Sequence, residues 1–453
     1  MEMNPRIFRE YDIRGIVGED LTEETVKELG LAIGTYYARR GLRRITLGRD
    51  CRLSSEPFHD ALLEGLLACG MEVIDLGICP TPLLYFSIVK LGTEGGVMIT
   101  GSHNPPEFNG FKVCVGKDAI YGPEIQKVRE IAERGDYAKG EGRLSEYDIL
   151  VDYRRFVLEQ IRVGRRLRVV IDAGNGTAGV VAAPIMRELG CEVVELYCEM
   201  DGHFPHHHPD PTVEAYLQDL IAKVRETGAD VGIGYDGDGD RIGVIDERGE
   251  IIWGDRLMII FARDIISERG GGTFIAEVKC SQVLYDEIER LGGRAIMWKT
   301  GHSLIKDKMR KEGALLAGEM SGHMFFADRY FGYDDAIYAS CRLLEIMGKT
   351  GKRVSELLEG VPRTYVTPEI RMECPDEVKF HVVDRVKERL KEQYEIIDVD
   401  GVRVKFPDGW GLVRASNTQP VLVLRFEASS PSRLQEIRST IEGVLKEVME
   451  GLR

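Results

Sequence analysis

Apolar and polar positions along the chain recur in blocks that predict a repeated order of secondary structure. A Val/Ile-rich run of roughly five residues leads through polar turn residues into a helix-length segment that ends in glycine. The block occurs three times, as RRITLGRD to LLACGMEVIDL, LRVVIDAGNG to MRELGCEVVEL and GTFIAEVKC to IERLGGRAIMW. Gly70, Gly190 and Gly292 suit the left-handed position that closes a helix. Each block therefore predicts strand, helix and strand, which is a parallel βαβ unit.

A further strand, loop and strand follow each block, and the three loops differ in chemistry. GVMIT leads through GSHNPPEFNG to FKVCV, VGIGY leads through DGDGD to RIGVID, and ALLAG leads through EMSGH to MFFAD. Open α/β sheets bind ligands at their strand ends. The three loops are therefore expected to face one cleft and to form one site.

After about Pro362 the pattern changes to an amphipathic run at 376–393, four strand-like runs and a final helix at 432–451. This predicts a smaller α+β domain, joined by PRTYVTPEIRMECP as a linker. The predicted fold is three tandem similar α/β domains with mixed sheets plus a smaller C-terminal α+β domain around a central cleft. The expected boundaries are 1–149, 150–250, 251–362 and 363–453.

Composition and charge exclude several classes of function. The chain of 453 residues has 60 Lys and Arg against 75 Asp and Glu, a net charge of −15, and no basic block that would bind nucleic acid or anionic lipid. No apolar run is long enough to span a membrane, and no secretion signal is recognisable, so we expect a cytoplasmic protein. The nine cysteines form no Cys-x-x-Cys pair, which indicates reduced packing residues.

DGDGDR, at Asp236 to Arg241, is the strongest metal-binding candidate. Carboxylates at alternate positions with glycines between them can direct three oxygen ligands at one cation, which suits Mg²⁺. An EF-hand is the rival interpretation, but Arg241 stands where that loop needs glycine and the flanks alternate like strands. An acidic hairpin turn that binds nothing is the other alternative.

Ser102, in GSHNPPEFNGFK, follows a strand directly and has His103 and Asn104 beside it, while Lys112 returns on the next strand. A lone serine in such a turn is most often a capping group. Near a divalent cation, however, it is better suited to carry a phosphoryl group than an acyl group.

Two other segments have polar residues whose roles are open. RASNTQP offers hydrogen-bond donors suited to phosphate oxygens. DGHFPHHHPDP invites a metal hypothesis, but consecutive histidines cannot all converge on one ion. DAGNGTAG does not fit a dinucleotide-binding pattern and is better interpreted as a helix start that packs near the aspartate-rich loop.

Taken together, the motifs EYDIRG, TGSHNP, DGDGDR, GEMSGH and RASNTQP resemble, in that order, those of the α-D-phosphohexomutase superfamily, closest to its phosphomannomutase/phosphoglucomutase group. The similarity spans the whole chain. It implies that Ser102 carries the phosphoryl group and completes a Mg²⁺ site with Asp236, Asp238 and Asp240.

The resemblance also assigns the remaining site residues. The implied catalytic residues are Ser102, His103, Lys112, Arg14, Arg241 and His302. The implied substrate-binding residues are Tyr11, Lys279, Glu319, Ser321, His323, Arg414, Ser416, Asn417 and Thr418. Glu319 and Ser321 would hold sugar hydroxyls, and the last four residues would hold the non-reacting phosphate.

The implied reaction is reversible transfer of a phosphoryl group between O6 and O1 of mannose or glucose phosphate, with hexose 1,6-bisphosphate as intermediate and activator. A phosphoglucosamine mutase is the main alternative within the family, although it usually has Gln at Met320 and RxSGTEP in place of RASNTQP. A phosphopentomutase, a metal-dependent phosphatase and a noncatalytic sugar-phosphate sensor are the others. The preferred sugar, the general base and the oligomeric state stay open.

Overall fold

The protein is described by a computed structural model that covers residues 3–417 and 419–451. Three α/β units with mixed sheets follow one another and an α+β unit ends the chain, which confirms the predicted fold class.

The first unit has a seven-stranded sheet in the order β1-β5-β4-β2-β3-β7, with β6 paired to β5. Its elements are β1 (Ile13–Ile16), α1 (Glu23–Arg39), β2 (Arg44–Arg49), α2 (Ser55–Ala68), β3 (Glu72–Ile78), α3 (Thr81–Leu91), β4 (Gly95–Ile99), β5 (Phe108–Val115), β6 (Asp118–Ala119), α4 (Pro123–Arg134) and β7 (Arg143–Glu146).

The second unit has a five-stranded sheet in the order β12-β11-β10-β8-β9. Its elements are α5 (Ile149–Gln160), β8 (Arg168–Asp172), α6 (Gly179–Glu188), β9 (Glu192–Leu196), α7 (Gln218–Thr227), β10 (Val231–Tyr235), β11 (Ile242–Asp246) and β12 (Ile251–Ile252).

The third unit also has a five-stranded sheet, in the order β14-β13-β15-β16-β17. Its elements are α8 (Gly254–Arg269), β13 (Thr273–Glu277), α9 (Gln282–Arg290), β14 (Arg294–Trp298), α10 (His302–Glu312), β15 (Leu316–Gly318), β16 (Met324–Phe326), β17 (Tyr333–Asp334), α11 (Ala336–Thr350) and α12 (Val354–Leu357).

The internal repeat predicted from the sequence is present in the sheet topology. The orders β3-β2-β4-β5, β9-β8-β10-β11 and β14-β13-β15-β16 are equivalent: the first three strands are parallel and the fourth is antiparallel. Gly70, Gly190 and Gly292 follow the helices of the three copies at φ of 79°, 91° and 90°, which confirms their predicted left-handed conformation.

The fourth unit has a wholly antiparallel sheet in the order β18-β23-β22-β21-β20, with β19 also paired to β23. Its elements are β18 (Tyr365–Val366), β19 (Ile370–Glu373), α13 (Lys379–Leu390), β20 (Glu395–Ile397), β21 (Val402–Phe406), β22 (Gly409–Ala415), β23 (Val421–Ala428) and α14 (Pro431–Glu450).

The segment PRTYVTPEIRMECP was wrongly predicted to be only a linker. It contains β18 and β19, both of which pair with β23. The three prolines that suggested a linker, Pro362, Pro368 and Pro375, lie outside the two strands and therefore remove no hydrogen bond from the ladder.

Apolar packing joins the first three units in one large cluster, and a small cluster of Val278, Trp410 and Leu412 joins the fourth unit to the third. The largest cluster of buried apolar side chains runs from Ile74 to Leu357 and includes residues of all three α/β units. The C-terminal unit has a cluster of its own, from Cys374 to Val448. Within residues 3–417 and 419–451, no helix combines the length and the apolar character needed to cross a membrane.

Candidate active site

Four loops carry most of the predicted site residues. We name them the serine loop (100–107, between β4 and β5), the aspartate loop (236–241, between β10 and β11), the glutamate loop (319–323, between β15 and β16) and the arginine loop (414–420, from the last two residues of β22 to the start of β23). The first three occupy equivalent places in the three sheets, as the repeat predicts.

The serine loop holds Ser102 in a strained conformation. Its φ is 47°, in the left-handed region that side chains other than glycine rarely adopt. The Ser102 amide donates to Thr100 Oγ1 over 2.9 Å, and its hydroxyl donates to Asp236 Oδ2 over 2.8 Å. His103 Nδ1 lies 3.2 Å from the same hydroxyl. The turn therefore directs the Ser102 hydroxyl at the aspartate loop of the next unit.

The aspartate loop gathers three buried carboxylates. Asp236, Asp238 and Asp240 each offer an oxygen within 4.8 Å of the others, and each is at most 1% exposed. Gly239, at a φ of 76°, allows the tight turn between them. Asp236 Oδ1 accepts hydrogen bonds from the amides of Asp240 and Arg241, both 3.1 Å long, which fixes its orientation.

Electrostatics in this loop favour a bound cation. Burial, and then the charges of Asp240 and Asp238, raise the pKa of Asp236 well above its usual range. Lys112 Nζ donates to Asp238 Oδ2 over 3.0 Å and also to Asp240, so it offsets part of the charge. Asp238 Oδ1 is buried and has no hydrogen-bond partner among the described residues. This unsatisfied oxygen shows that the donor set fits a metal ion.

The glutamate loop is tied to the aspartate loop. His323 Nδ1 lies 2.7 Å from Glu319 Oε2, and His323 Nε2 lies 3.2 Å from Asp240 Oδ1. Burial alone would lower the pKa of His323 by disfavouring the charged imidazolium. The carboxylates of Asp240 and Glu319 outweigh this effect and raise the pKa of His323 to about 10. His323 in turn lowers the pKa of Glu319 to about 2 against the effect of burial. Ser321 Oγ lies 3.3 Å from Glu319 Oε2.

The arginine loop reaches the site from the fourth unit. Arg414 is buried and its Nε donates to Asp400 Oδ2 over 3.1 Å. Asn417 Nδ2 donates to the Tyr11 hydroxyl over 2.6 Å, which joins the fourth unit to the first. Ser416 Oγ accepts a 3.2 Å hydrogen bond from the Gln419 amide. Thr418, also predicted to bind phosphate, lies outside the described residues.

Comparison with known proteins decides the family. The models for phosphoglucomutase/phosphomannomutase alpha/beta/alpha domains I, II and III match residues 5–139, 151–249 and 253–365, and the model for the C-terminal domain matches residues 369–444. The chain belongs to the phosphoglucomutase/phosphomannomutase family. It is therefore an enzyme, an isomerase that transfers a phosphoryl group within a sugar phosphate.

Individual relatives agree with the family models along the whole chain. Phosphomannomutase/phosphoglucomutase of Pseudomonas aeruginosa is 47% identical over 447 residues, 98% of this chain and 96% of the relative. Phosphoglucomutase of Neisseria gonorrhoeae is 44% identical over 445 residues, 97% of this chain and 96% of the relative. The crystal structure of a phosphoglucomutase/phosphomannomutase family protein from Burkholderia thailandensis matches with a TM-score of 0.94, 41% identity and 99% of each chain covered.

Other predicted residues of this phosphohexomutase lie between the loops. Arg14 donates to Asn104 Oδ1 of the serine loop over 3.1 Å. Lys279 Nζ donates to Glu369 Oε2 over 3.0 Å. Burial would lower the pKa of Lys279, but the carboxylates of Glu277 and Glu369 outweigh it and raise that pKa. The structure thus places both cations beside the site.

His302 begins α10 and lies between the other aromatic residues of the site. Its ring is 6.3 Å from that of Tyr11 and 5.9 Å from that of His323, edge-on in both cases. Burial and the Lys306 charge lower the pKa of His302 to about 3, so the imidazole is neutral at physiological pH. The Tyr11 hydroxyl donates to the Thr300 carbonyl over 3.0 Å, directly before this helix.

The sequence analysis did not predict the residues that bind Asp238 and the backbone of the serine loop. Thr81 Oγ1 donates to Asp238 Oδ2 over 2.6 Å, and Thr100 Oγ1 donates to the same oxygen over 3.1 Å. Arg52 donates to the backbone carbonyls of Ser102 and Asn104 in the serine loop. The signal available for these residues was weak: a threonine after a proline at a helix start and an arginine after a strand are common in any α/β fold.

The glycine-rich and histidine-rich segments of the second unit also have structural contacts. The Thr177 amide donates to the Gly237 carbonyl over 3.0 Å, so DAGNGTAG packs against the aspartate loop before α6 begins, as predicted. His207 Nε2 lies 2.9 Å from Asp172 Oδ2, and His206 Nδ1 lies 2.8 Å from Asn175 Oδ1. These contacts hold the histidine-rich loop against the glycine-rich one.

Proposed function

We propose that Ser102 is the phosphoryl carrier of a mutase that interconverts hexose 6-phosphate and hexose 1-phosphate through hexose 1,6-bisphosphate. The observation that supports this most directly is the 2.8 Å hydrogen bond between the Ser102 hydroxyl and Asp236 Oδ2, at the junction of the serine and aspartate loops. A phosphoryl group on this hydroxyl would lie beside three carboxylates that fit a cation.

Mg²⁺ is the cation we propose for Asp236, Asp238 and Asp240, together with an oxygen of phosphorylated Ser102. When bound, Mg²⁺ offsets the charge on the transferring phosphoryl oxygens. Lys112 donates to Asp238 and Asp240, and Thr81 and Thr100 bind Oδ2 of Asp238, while its Oδ1 has no hydrogen-bond partner among the described residues. Such contacts orient metal ligands.

Transfer in the forward direction breaks the bond between Ser102 Oγ and phosphorus, forms a bond from a sugar hydroxyl oxygen to that phosphorus, and leaves the proton of that hydroxyl on Ser102 Oγ. The intermediate then turns over in the cleft, the bond between its other phosphorus and the sugar oxygen breaks, that oxygen takes up a proton, and a new bond forms between that phosphorus and Ser102 Oγ. On the return, the Ser102 hydroxyl loses its proton, and Asp236 and His103 stand 2.8 and 3.2 Å from Oγ as acceptors. Holding the reactants in place can supply roughly 7–11 kcal/mol of the barrier.

The other two loops would bind the substrate. Glu319 and Ser321 offer a carboxylate and a hydroxyl to sugar hydroxyls, and the low pKa of Glu319 keeps it ionised as a hydrogen-bond acceptor. Arg414, Ser416 and Asn417, with Thr418, would hold the phosphate that is not reacting. A guanidinium can bind phosphate through two parallel hydrogen bonds, which lysine cannot do.

Mannose and glucose phosphates are the proposed substrates, as the names of the relatives suggest. A phosphoglucosamine mutase is the alternative within the family, and Met320 is the residue that argues against it, since those enzymes usually have Gln at this position. We propose further that the enzyme acts in the cytoplasm, where its nine cysteines, none of them in a disulfide, would stay reduced. The proposed domain boundaries, 1–149, 150–250, 251–362 and 363–453, give each domain one loop of the site, although the sheet of the second unit continues through β12 to Ile252.

One set of assays tests this proposal. Purified enzyme is offered mannose, glucose, glucosamine and ribose 1-phosphates, and Ser102→Ala is assayed beside it. We expect turnover of the mannose and glucose compounds, loss of activity by orders of magnitude in the variant, and one phosphoryl group on Ser102 by mass spectrometry. Near-wild-type turnover by Ser102→Ala, phosphate on another residue, or release of inorganic phosphate as the main product would contradict the proposal.

A further inference from the structure

Arg52 is a buried arginine whose guanidinium is bound almost entirely to the backbone of the serine loop. Arg52 follows β2 and precedes α2 in the chain, and its side chain is 1% exposed. Its Nε donates to Asp50 Oδ2 over 3.2 Å. Its terminal nitrogens donate to four carbonyl oxygens, those of Ser102 (2.9 Å), Asn104 (2.6 Å), Pro105 (2.6 Å) and Phe108 (2.9 Å).

Asp50 extends this contact to the residue before Ser102. Its Oδ2 accepts a 3.0 Å hydrogen bond from the Gly101 amide, and its Oδ1 accepts hydrogen bonds from the Arg52 amide and the Ser55 hydroxyl. A Cβ atom at Gly101 would lie 2.4 Å from the guanidinium carbon of Arg52, so the loop lies directly on that group. Asp50 and Arg52 together hold the loop on both sides of Ser102.

The second unit covers this contact. The guanidinium of Arg52 lies 5.1 Å from the ring centre of Phe204, a cation–π arrangement. A Cβ atom at Gly202 would lie 2.6 Å from the Cys51 carbonyl oxygen, so the backbones of the two units touch here. Arg52 therefore stands where the unit that carries Ser102 meets the unit that carries the aspartate loop.

We infer that Arg52 is a positioning residue for phosphoryl transfer, which sets the direction of the Ser102 hydroxyl by binding the carbonyls at and after it. The inference rests on the proposed role of Ser102. A left-handed conformation persists at a serine only where the surroundings impose it. The planar guanidinium satisfies four carbonyls at once in a fixed geometry, whereas a lysine ammonium is a point charge with three donors.

Arg52→Lys tests the inference, because it keeps the charge and loses the geometry. A misplacement of about 1 Å can lower the rate of a reaction on the order of 100-fold, so we expect kcat to fall by about that factor. The arginine loop is untouched, so KM and sugar-phosphate affinity should change by less than about threefold. Arg49→Lys, three residues earlier at the end of β2, is the matched control and should retain wild-type kcat.

Chemical rescue separates positioning from general stability. In Arg52→Ala, guanidinium chloride at millimolar concentration should restore kcat at least about tenfold, while the same concentration of ammonium chloride should not, because only the guanidinium has the planar donor set. The rate at which glucose 1,6-bisphosphate phosphorylates Ser102, followed by intact-protein mass spectrometry, should fall and recover in parallel.

Several outcomes would overturn the inference. One is an Arg52→Lys enzyme whose kcat stays close to wild type. Another is a loss of sugar-phosphate binding and thermal stability in parallel with kcat, with no guanidinium rescue, which would make Arg52 merely structural. If neither Arg52 variant folds, Phe204→Leu replaces them, because it keeps the guanidinium and removes the aromatic ring that packs on it. This variant should lower kcat several-fold with KM unchanged. An unchanged kcat would count against the inference. Activity in Ser102→Ala would instead contradict the proposed function.

Discussion

The two ends of the site are built differently. At the end where we propose the chemistry, Asp238 accepts hydrogen bonds from Thr81, Thr100 and Lys112, three buried residues of the first unit. At the end where we propose phosphate binding, Asn417 of the arginine loop donates a hydrogen bond to the Tyr11 hydroxyl of the first unit. Among the described residues, the aspartate loop therefore has more hydrogen bonds to the first unit than the arginine loop has.

This difference suits the proposed reaction, in which the bisphosphate intermediate turns over in the cleft. The net contribution of one hydrogen bond to stability is about 0.5–1.5 kcal/mol, so a contact of this kind can break and reform readily. Several buried hydrogen bonds to charged groups hold a geometry more firmly. The serine and aspartate loops can thus keep Ser102, the proposed phosphoryl carrier, aligned with the aspartates while the arginine loop releases one phosphate of the intermediate and binds the other.

The largest expected effect on activity comes from a change in the aspartate loop. Asp238→Asn removes a negative metal ligand but keeps the side-chain volume. Changes in residues that only support metal ligands cost 10–100-fold, so loss of a ligand should cost more than about 100-fold in activity at fixed Mg²⁺. Activity measured against Mg²⁺ concentration checks this, with exposed Asp286→Asn on α9 as the control. An unchanged Mg²⁺ dependence, or full wild-type activity in excess EDTA, would contradict the proposed metal site.

The phosphate-binding end should respond mainly in binding. Arg414→Ala removes a cation whose charged hydrogen bonds are worth about 1.5–3 kcal/mol each, so we expect KM to rise at least about tenfold. More hexose 1,6-bisphosphate should also escape into solution, which coupled assays and ³¹P NMR can measure. Arg414→Lys should recover only part of the affinity. A variant with unchanged KM and reduced kcat would place Arg414 at the reacting phosphate.

Tyr11→Phe sharpens the comparison by removing the hydroxyl that joins the first, third and fourth units. The hydroxyl donates to the Thr300 carbonyl and accepts from Asn417 Nδ2, so the variant loses both hydrogen bonds and keeps the ring. We expect a rise in KM of about threefold to tenfold, smaller than for Arg414→Ala because neither bond is charged. Tyr121→Phe is a matched control in the same unit. A loss of kcat as large as that of Asp238→Asn would show that the arginine loop is not the weakly held end.

The smallest effect concerns stability and not turnover. The pKa of His302 is lowered to about 3 in the folded enzyme, while an unfolded histidine has a pKa of about 6.5. Between pH 3 and pH 6.5 the folded state therefore binds fewer protons at His302 than the unfolded state does. The contribution of His302 to the free energy of unfolding is complete above pH 6.5 and is lost as the pH falls toward 3. At pH 5 the loss should reach roughly 2 kcal/mol.

His302→Gln lacks this titration, so its urea midpoint should fall less between pH 7.5 and pH 5 than that of the wild type. Tryptophan fluorescence can follow the unfolding, since Trp298 precedes His302 by four residues. His203→Gln, at an exposed position, should behave like the wild type. An equal pH dependence in His302→Gln and the wild type would show that His302 does not titrate as described.

The amino-acid sequence by itself determined the repeated architecture and the chemical identity of the loops. Periodicity of apolar residues and the three closing glycines were enough to predict the βαβ copies, because these signals are local. The spacing of Asp236, Asp238 and Asp240 was enough to predict a cation site, since a tight turn brings alternate carboxylates together whatever surrounds it.

Only the tertiary structure decided which residues support those loops. Arg52 lies 50 residues from Ser102 in the chain, and Thr81 lies 157 residues from Asp238, so no local pattern connects them. The two short strands in PRTYVTPEIRMECP are likewise defined by pairing with β23 and not by their own residues. Contacts between distant segments depend on how the sheets and units pack, and a single sequence contains no local signal for that packing.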